Sequence, residues 1–176
     1  IFVGDNGTTG QIIPSPRTTT SAKGTLLEGG IHVPVVIAGP GLVEPGRYVS
    51  APINLADLYS TIAELSGRER TQLEAGNALI DSVSLVPYLN QSQSEDQRSW
   101  IYSELFGSEI DPARAGRTIR DRQYKLIRFD QGSVAFYDLE NDPYERSNLS
   151  EGELTAAQQE RFDRLSNALM DLTGRP

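Results

Sequence analysis

IFVGDNG at Ile1–Gly7 and KGTLLEGGIHVP at Lys23–Pro34 decide the expected fold. Each contains a short apolar run beside glycine or proline, which is typical of buried strands in an α/β sheet. The first run ends in a carboxylate and a carboxamide, Asp5 and Asn6, and the second stretch opens with Lys23. Because ligands of open α/β sheets bind at the carboxyl ends of strands, the two stretches predict neighbouring sites for a cation and for a sulfate or phosphate ester.

We place the two strands at Ile1–Val3 and Val33–Ala38, and we expect them to be buried and parallel. The polar stretch between them, Thr8–Ala22, is long for a connection without secondary structure, and such loops in compact domains are often functional. A helix is predicted from a cap at Asn54 to about Ser66, because apolar residues recur there at helical spacing. These residues are expected to face the core: Leu55, Leu58, Tyr59, Ile62 and Leu65.

Farther along the chain the pattern changes to short strands separated by turns. The strand-like pieces are Trp100–Phe106, Thr118–Asp121, Tyr124–Phe129 and Ala135–Leu139, with hairpin turns at Asp121–Gln123 and Asp130–Gly132. Antiparallel strands followed by a helix predict a small α+β unit. We therefore divide the chain into part of an α/β core, residues 1–90, and a smaller α+β subdomain, residues 91–176.

A final helix is predicted near the end of the chain. Thr155 with Gln158 fits a capping box at its start, and Gly174 is placed to end it. Its apolar residues lie on one side: Phe162, Leu165, Leu169 and Leu172.

The composition excludes several classes of function. The 176 residues carry a net charge of −8 and no cysteine. We expect no nucleic-acid partner, because an acidic chain lacks the positive field that phosphate backbones require. Disulfides, thiolate metal sites and a cysteine nucleophile are excluded within these 176 residues, and no apolar run in them approaches the roughly 18 residues of a membrane span. Because Ile1–Val3 already has the pattern of a core strand, we interpret the chain as the C-terminal part of a larger protein.

Asp5 and Asn6 are candidate ligands of a divalent cation. Carboxylate and amide oxygens are hard donors suited to Ca²⁺ or Mg²⁺, although Asp-Asn-Gly is also a common turn sequence. Two residues cannot complete a shell of about six or more oxygens, so further ligands must lie elsewhere. Lys23 could hold a sulfate or phosphate oxygen as a compact positive charge, or it could be a solvated surface lysine. One other lysine, Lys125, occurs in the chain.

Other charged residues near these stretches have open roles. Glu28 lies next to Gly29 and Gly30, where it could orient Lys23, bind backbone amides or remain exposed. The single histidine, His32, lies on entry to a strand, and we expect a structural or supporting role for it. Four arginines in the second half are spaced so that some share a strand face. This could mean an anion contact or a solvated strand edge, and we favour the solvated edge. The four arginines are Arg114, Arg117, Arg120 and Arg122.

Six strings occur in the order found in the type I sulfatases of the alkaline-phosphatase superfamily, which the chain resembles over nearly its whole length. They are IFVGDNG, AKGTLLEGGIHVPVVIAGPG, APINLADLYSTIAELSG, DSVSLVPYL, TIRDRQYKLI and FYDLENDPYERSNL. The fold that this resemblance implies is α/β. It comprises the C-terminal part of an alkaline-phosphatase-like sheet and a smaller α+β subdomain, which has an antiparallel sheet and a C-terminal helix.

The resemblance also implies roles for the site residues. Asp5 and Asn6 would be two ligands of a divalent cation, usually Ca²⁺. Lys23 would bind the sulfate oxygens and stabilise charge in the transition state. The formylglycine nucleophile of the family, made from Cys or Ser, and most remaining ligands would lie upstream, so this chain alone should have no catalysis. The expected partners are a sulfate-ester substrate and the upstream half of the same protein, and the resemblance favours a periplasmic, secreted or lysosomal-type compartment.

Two alternatives remain open at this point. Phosphodiesterases and phosphonate monoester hydrolases of the same superfamily bind tetrahedral anions of similar shape, and Lys23 with a cation cannot separate sulfate from phosphate. A non-catalytic structural or binding module would keep the fold with a degraded site.

Overall fold

The computed structural model of the chain describes residues 1–12, 15, 19–74, 80–92 and 94–174. The described helices are α1 (Glu28–Ile31), α2 (Asp57–Leu65), α3 (Arg70–Leu73), α4 (Val86–Asn90) and α5 (Ala156–Thr173), with 3₁₀ turns at Thr19–Ser21 and Leu149–Glu151. The described strands are β1 (Phe2–Val3), β2 (Val35–Val36), β3 (Ile101–Leu105), β4 (Gly116–Arg120), β5 (Tyr124–Phe129) and β6 (Val134–Asp138). Among these residues, no helix has the length and apolar character needed to cross a bilayer.

Contacts group these elements into two compact units. The first combines Ile1–Val36 with Tyr102–Pro176, and the second is Ile37–Ile101. The first unit therefore joins the start of the chain to its C-terminal sheet. The predicted division into residues 1–90 and 91–176 stays a prediction for the longer protein.

The two strands near the start form a short antiparallel pair, in which Phe2 is opposite Val36. The expectation of parallel, buried strands is therefore wrong for this chain. A β-branched apolar run indicates a strand but not its direction, which the backbone pairing decides. Gly4 N–H donates to Pro34 O at 3.0 Å and continues the antiparallel pairing. Phe2 and Val36 are 66% and 55% exposed, since the described residues do not cover these side chains.

The C-terminal sheet has the order β3-β4-β5-β6, in which β4 pairs antiparallel with β5, and β5 with β6. This confirms the expected antiparallel sheet. The first predicted hairpin turn is stabilised by the Asp121 carboxylate, which accepts the N–H groups of Gln123 at 2.9 Å and Tyr124 at 2.7 Å. In the second, Gly132 adopts a φ of +92°, which suits a residue without Cβ.

The helix α5 packs against β4 and β5. Its predicted capping box is present: Thr155 N–H donates to Gln158 Oε1 at 2.9 Å, and Gln158 N–H donates to Thr155 Oγ1 at 3.3 Å. Gly174 ends the helix in the left-handed conformation. Leu165 and Leu169 are each 1% exposed. The core beneath this helix also includes the fully buried side chains Ile119, Leu126 and Phe136, whereas Ile127 packs with Leu26 and Ala135 in a second apolar cluster.

The helix α2 begins at Asp57, later than the predicted cap at Asn54. Asn54 forms a turn before the helix, in which its Oδ1 accepts the N–H of Ala56 at 3.0 Å. The expectation that the apolar stripe faces the core is wrong for most of the stripe, because the buried residues of α2 are Asp57, Ser60, Thr61 and Ala63, and Leu58 is only half-buried. The exposed apolar residues are Leu55, Tyr59, Ile62 and Leu65.

Hydrogen bonds within the second unit explain why a polar face is buried there. Asp57 is fully buried, lies 2.8 Å from Arg98 Nε and accepts the N–H of Val83 at 2.9 Å. Thr61 Oγ1 accepts the N–H of Leu85 at 2.9 Å. Buried polar groups are tolerated when they are paired in this way. Helical spacing identified the stripe but could not show which face these bonds would bury.

Candidate active-site segment and a buried charge cluster

The predicted cation ligands, Asp5 and Asn6, follow β1 after Gly4, and both residues are exposed. The backbone after them is held by Gly7 N–H, which donates to Gly30 O at 3.1 Å. A Cβ at Gly7 would collide with the carbonyl oxygens of Gly29 and Gly30, so glycine is required for this approach. The sequence Asp-Asn-Gly therefore forms an anchored segment whose two polar side chains remain accessible.

Lys23 belongs to the same connected stretch of backbone. Its N–H donates to Thr8 O at 2.8 Å, and the N–H of Thr8 donates to Gly29 O at 3.1 Å. Lys23 itself is exposed, whereas its neighbours Ala22 and Thr25 are buried. The structure thus links the predicted anion-binding lysine to the segment of the predicted cation ligands through one backbone hydrogen bond, to Thr8, which follows Gly7 in the chain.

The donor set at this segment fits part of a hard-cation shell. Asp5 and Asn6 offer one carboxylate and one amide oxygen, and Ca²⁺ takes about six to eight oxygen ligands. Within the described parts of the chain, no group of three or more His, Cys, Asp or Glu side chains could hold a metal. Two ligands from this chain would therefore need further donors from elsewhere.

A buried charge cluster, consisting of Glu28, Arg120, Lys125 and Glu145, meets the first turn of α1. Glu28 is 4% exposed, so the alternative that it remains exposed is wrong. Its Oε1 lies 3.1 Å from Lys125 Nζ, and its Oε2 lies 2.8 Å from Arg120 Nη1 and 3.0 Å from His32 Nδ1. The expected solvated edge is therefore wrong for Arg120, whose guanidinium binds a buried carboxylate.

Glu145 completes the cluster from the turn after β6. Its Oε2 accepts the backbone N–H of Glu28 at 2.6 Å. Its Oε1 lies 2.8 Å from Lys125 Nζ, within ion-pair distance, but the two groups are not oriented for a hydrogen bond. Lys125 is 0% and Glu145 7% exposed. Glu145 has a φ of +55°, which residues other than glycine rarely adopt, and Asp142 holds the turn by accepting the N–H of Arg146 at 2.7 Å.

Burial by itself raises the pKa of a carboxyl group. The two carboxylates of the cluster differ in whether their charged and hydrogen-bonded partners offset this effect. At Glu28 the hydrogen bond with His32 and the charges of Lys125 and Arg120 outweigh burial, so its pKa lies well below its ordinary value. At Glu145 burial outweighs the Lys125 charge, and the pKa is raised. Removing one partner of a buried ion pair typically costs about 3–5 kcal/mol, because the other charge is left unpaired.

Sequence reasoning assigned neither Lys125 nor Glu145 to a site. One signal existed, because Lys125 lies inside the apolar strand pattern YKLI, where a buried lysine requires an opposite charge. Its partner could not be identified from sequence, since Glu28 lies 97 residues away along the chain.

Residues 21–173 match the family model described as N-sulphoglucosamine sulphohydrolase, C-terminal. The chain belongs to this family. The matched range of this sulfatase C-terminal family includes Lys23 and the whole charge cluster, whereas Asp5 and Asn6 precede it. The resemblance to the sulfatases is confirmed.

Known proteins similar to this sulfatase C-terminal region include arylsulfatase K of Xenopus laevis, which is 32% identical over 132 residues. That alignment covers 73% of the chain and 24% of the relative. A solved 2-O GAG sulfatase is 25% identical with a TM-score of 0.69, covering 96% of this chain and 34% of its own. The phosphonate monoester hydrolase of Silicibacter pomeroyi is 27% identical with a TM-score of 0.62, covering 84% and 30%. The expected α/β fold class is confirmed, and the chain spans about a quarter of the length of the curated relatives it matches.

Proposed function

We propose that this chain supplies cation-binding and sulfate-binding residues to a longer sulfatase that hydrolyses sulfate esters. In this proposal Asp5 and Asn6 bind a divalent cation, and Lys23 binds the sulfate oxygens. The observation that carries it is the bond from Lys23 N–H to Thr8 O, which links the lysine to the segment of the cation ligands. Two hard oxygen donors and an exposed ammonium group on connected backbone, in a sulfatase family, suit a sulfate site.

Lys23 acts on the charge of the reacting group. The non-bridging oxygens of a sulfate ester are negative, and the distribution of charge changes as the bond to the leaving group breaks. A compact ammonium group orients these oxygens and stabilises their charge in the transition state. A Ca²⁺ or Mg²⁺ ion held by Asp5 and Asn6, with donors from elsewhere, supplies Lewis-acid stabilisation when bound.

The rest of the site belongs, in this proposal, to an upstream part of the same protein, which carries the formylglycine nucleophile. Two observations support this division. The chain matches 24% of the length of arylsulfatase K, and Phe2 and Val36 present apolar surface at the strand pair beside the site. Such surface is normally buried against a second layer of structure. The 176-residue chain by itself should have no sulfatase activity.

The test of the lysine uses the full-length protein and an aryl sulfate. Lys23→Ala should lower kcat/KM about 10²- to 10³-fold, as the removal of one transition-state donor does in other enzymes. Arg114→Ala is the control, because it removes an exposed positive charge whose partner, Asp111, is 3.9 Å away. Wild-type activity of Lys23→Ala would contradict the proposal.

The test of the cation ligands measures binding and does not depend on turnover. Asp5→Ala in the full-length protein should weaken Ca²⁺ binding at least about tenfold in a calorimetric titration, because one carboxylate of the shell is lost. Asp111→Ala, which removes an exposed carboxylate elsewhere, is the control. An unchanged Ca²⁺ affinity in Asp5→Ala would exclude Asp5 as a ligand. The same result would favour the alternative that the chain is a non-catalytic module.

The likeness to a phosphonate monoester hydrolase is consistent with one alternative, hydrolysis of a phosphorus ester at the same site. We place sulfate esters first because the matched family model and the curated relative are sulfatases. Relative kcat/KM values for an aryl sulfate and an aryl phosphonate or phosphate diester separate the two. A higher kcat/KM for the phosphorus ester would overturn our choice of sulfate esters as the substrate class.

A further inference from the structure

The charge cluster joins α1 to the C-terminal sheet across long separations in sequence. Glu28 lies 97 residues from Lys125 and 117 from Glu145. All three side chains are buried. Burying charges is costly and is tolerated when they are paired. The proposed binding of sulfate and cation uses neither Lys125 nor Glu145, so the cluster calls for a separate explanation.

The helix α1 depends on this cluster for its position. It has four residues, and one turn of helix is not stable by its own hydrogen bonds. The first N–H groups of a helix lack partners within it, and Glu145 Oε2 accepts that of Glu28. Farther along α1, Gly30 O accepts the N–H of Gly7. Glu145 therefore binds the N-terminal end of α1, and the segment that carries the proposed cation ligands binds the same helix at Gly30.

Lys23 is connected to the same helix. Its N–H donates to Thr8 O, and Thr8 N–H donates to Gly29 O in α1. The intervening chain is closely packed, because a Cβ on Gly30 would collide with the carbonyl oxygen of Thr25. A displacement of α1 would therefore displace the backbone at Lys23 as well.

The conformation of Glu145 indicates that its carboxylate matters. A φ of +55° suits glycine, yet this position carries a side chain that reaches both Lys125 and the N–H of Glu28. Asp142 holds the turn in place by accepting the N–H groups of Arg146 and Ser147 at 2.7 Å and 2.8 Å. Unfavourable backbone geometry that surrounding bonds maintain often accompanies a functional constraint.

We propose that Glu145, together with Lys125, is a positioning residue for Lys23. It holds the first turn of α1 and thereby sets where the Lys23 ammonium lies relative to the cation ligands. Lys125 is needed because the carboxylates of Glu28 and Glu145 would otherwise repel each other. This inference rests on the function proposed above.

The experiment measures kcat per folded molecule of the full-length protein with an aryl sulfate, well below the melting temperature. Glu145→Gln keeps an oxygen for the N–H of Glu28 but removes the charge that faces Lys125. It should lower kcat about tenfold, and Glu145→Ala about a hundredfold, because small misplacements of a catalytic group carry penalties of this size. The inhibition constant of inorganic sulfate should rise in parallel. Wild-type values in Glu145→Gln would overturn the proposal, even if Glu145→Ala does not fold.

Asp57→Asn is the matched control, because Asp57 is a buried carboxylate paired with Arg98 in the other compact unit. It should lower the melting temperature and leave kcat per folded molecule unchanged. An equal loss of kcat in Asp57→Asn would show a general effect of destabilisation and overturn the positioning role.

Combination with Lys23→Ala separates this inference from the proposed function. In the Lys23→Ala background, Glu145→Gln should change kcat less than about twofold, because residues that act together are non-additive. An equal loss in both backgrounds would overturn positioning through Lys23. If Lys23→Ala alone is silent, both proposals fail. If Lys23→Ala inactivates the protein while Glu145→Gln is silent, the positioning role alone fails.

Discussion

The helices α5 and α2 use the same helical spacing of apolar residues in opposite ways. The helix α5 buries the apolar residues Leu165 and Leu169 against the C-terminal sheet. The helix α2 buries the polar residues Asp57, Ser60 and Thr61 together with Ala63, and it exposes most of its apolar stripe. The difference lies in the available partners: α5 meets an apolar sheet face within the chain, whereas α2 meets Arg98 and backbone donors. A helical pattern therefore identifies a stripe but not the surface that the stripe will meet.

The buried acid of α2 has a counterpart in α1. Asp57 and Glu28 each lie in the first turn of a short helix, where the helix dipole favours negative charge. Both carboxylates are paired with positively charged side chains, Arg98 for one and Lys125 with Arg120 for the other. Polar burial in this chain thus depends on specific pairs, whereas apolar burial at α5 depends on shape and area.

The largest effect should come from breaking the ion pair between Asp57 and Arg98, which keeps the polar side of α2 buried. Arg98→Leu should reduce the free energy of unfolding by about 3–5 kcal/mol, because Asp57 remains buried without its partner. Chemical unfolding measures the loss. Arg68→Leu, at an exposed arginine after the same helix, should change the free energy by less than about 0.5 kcal/mol. Equal effects of the two substitutions would show that the pair is not important for α2.

A comparable loss should follow when the apolar face of α5 is cut back. Leu165→Ala should cost about 2–5 kcal/mol, from lost burial and the cavity that remains. Leu172, predicted on the same side of the helix, is 47% exposed, and Leu172→Ala should cost much less. Similar values for both would mean that α5 does not pack as described.

A smaller, pH-dependent effect is expected at Glu28, whose pKa is lowered from its ordinary value of 4.5 because His32, Lys125 and Arg120 outweigh burial. A carboxyl group with a lowered pKa in the folded state contributes stability above its unfolded pKa and loses it as the pH falls further. Glu28→Gln should therefore destabilise the protein at pH 7, and the difference from wild type should narrow below pH 4.5. Glu64→Gln, at an exposed position of α2, is the control. A difference that stays constant from pH 7 to about pH 3 would contradict the assignment.

The smallest effect is expected on the exposed stripe of α2. Ile62 is 55% exposed, so Ile62→Ala should change the stability of the 176-residue chain by less than about 0.5 kcal/mol. In the full-length protein the same substitution should cost about 2–5 kcal/mol if an upstream part covers the stripe. Equal, small values in both proteins would show that the stripe is a surface in its own right.

The sequence alone determined what local chemistry controls. Thr155 and Gln158 form their capping box with backbone atoms only a few residues away, and Asp121 closes its hairpin in the same manner. The order of the six strings indicated the sulfatases, because residue types and their spacings can be compared without knowledge of the tertiary structure. Asp5, Asn6 and Lys23 were identified in this way, and their roles stay proposals.

Tertiary structure decided the direction of the β1–β2 pair, the buried face of α2 and the charge cluster around Lys125. Each depends on a partner distant in sequence: Glu28 and Glu145 reach one lysine from opposite ends of the chain. The pattern of a segment reports what it can bury and which groups need partners. Which residue pairs with a charge or covers an apolar surface depends on the free energy of the whole folded chain. Paired charges and covered apolar area are properties of contacts and not of single residues.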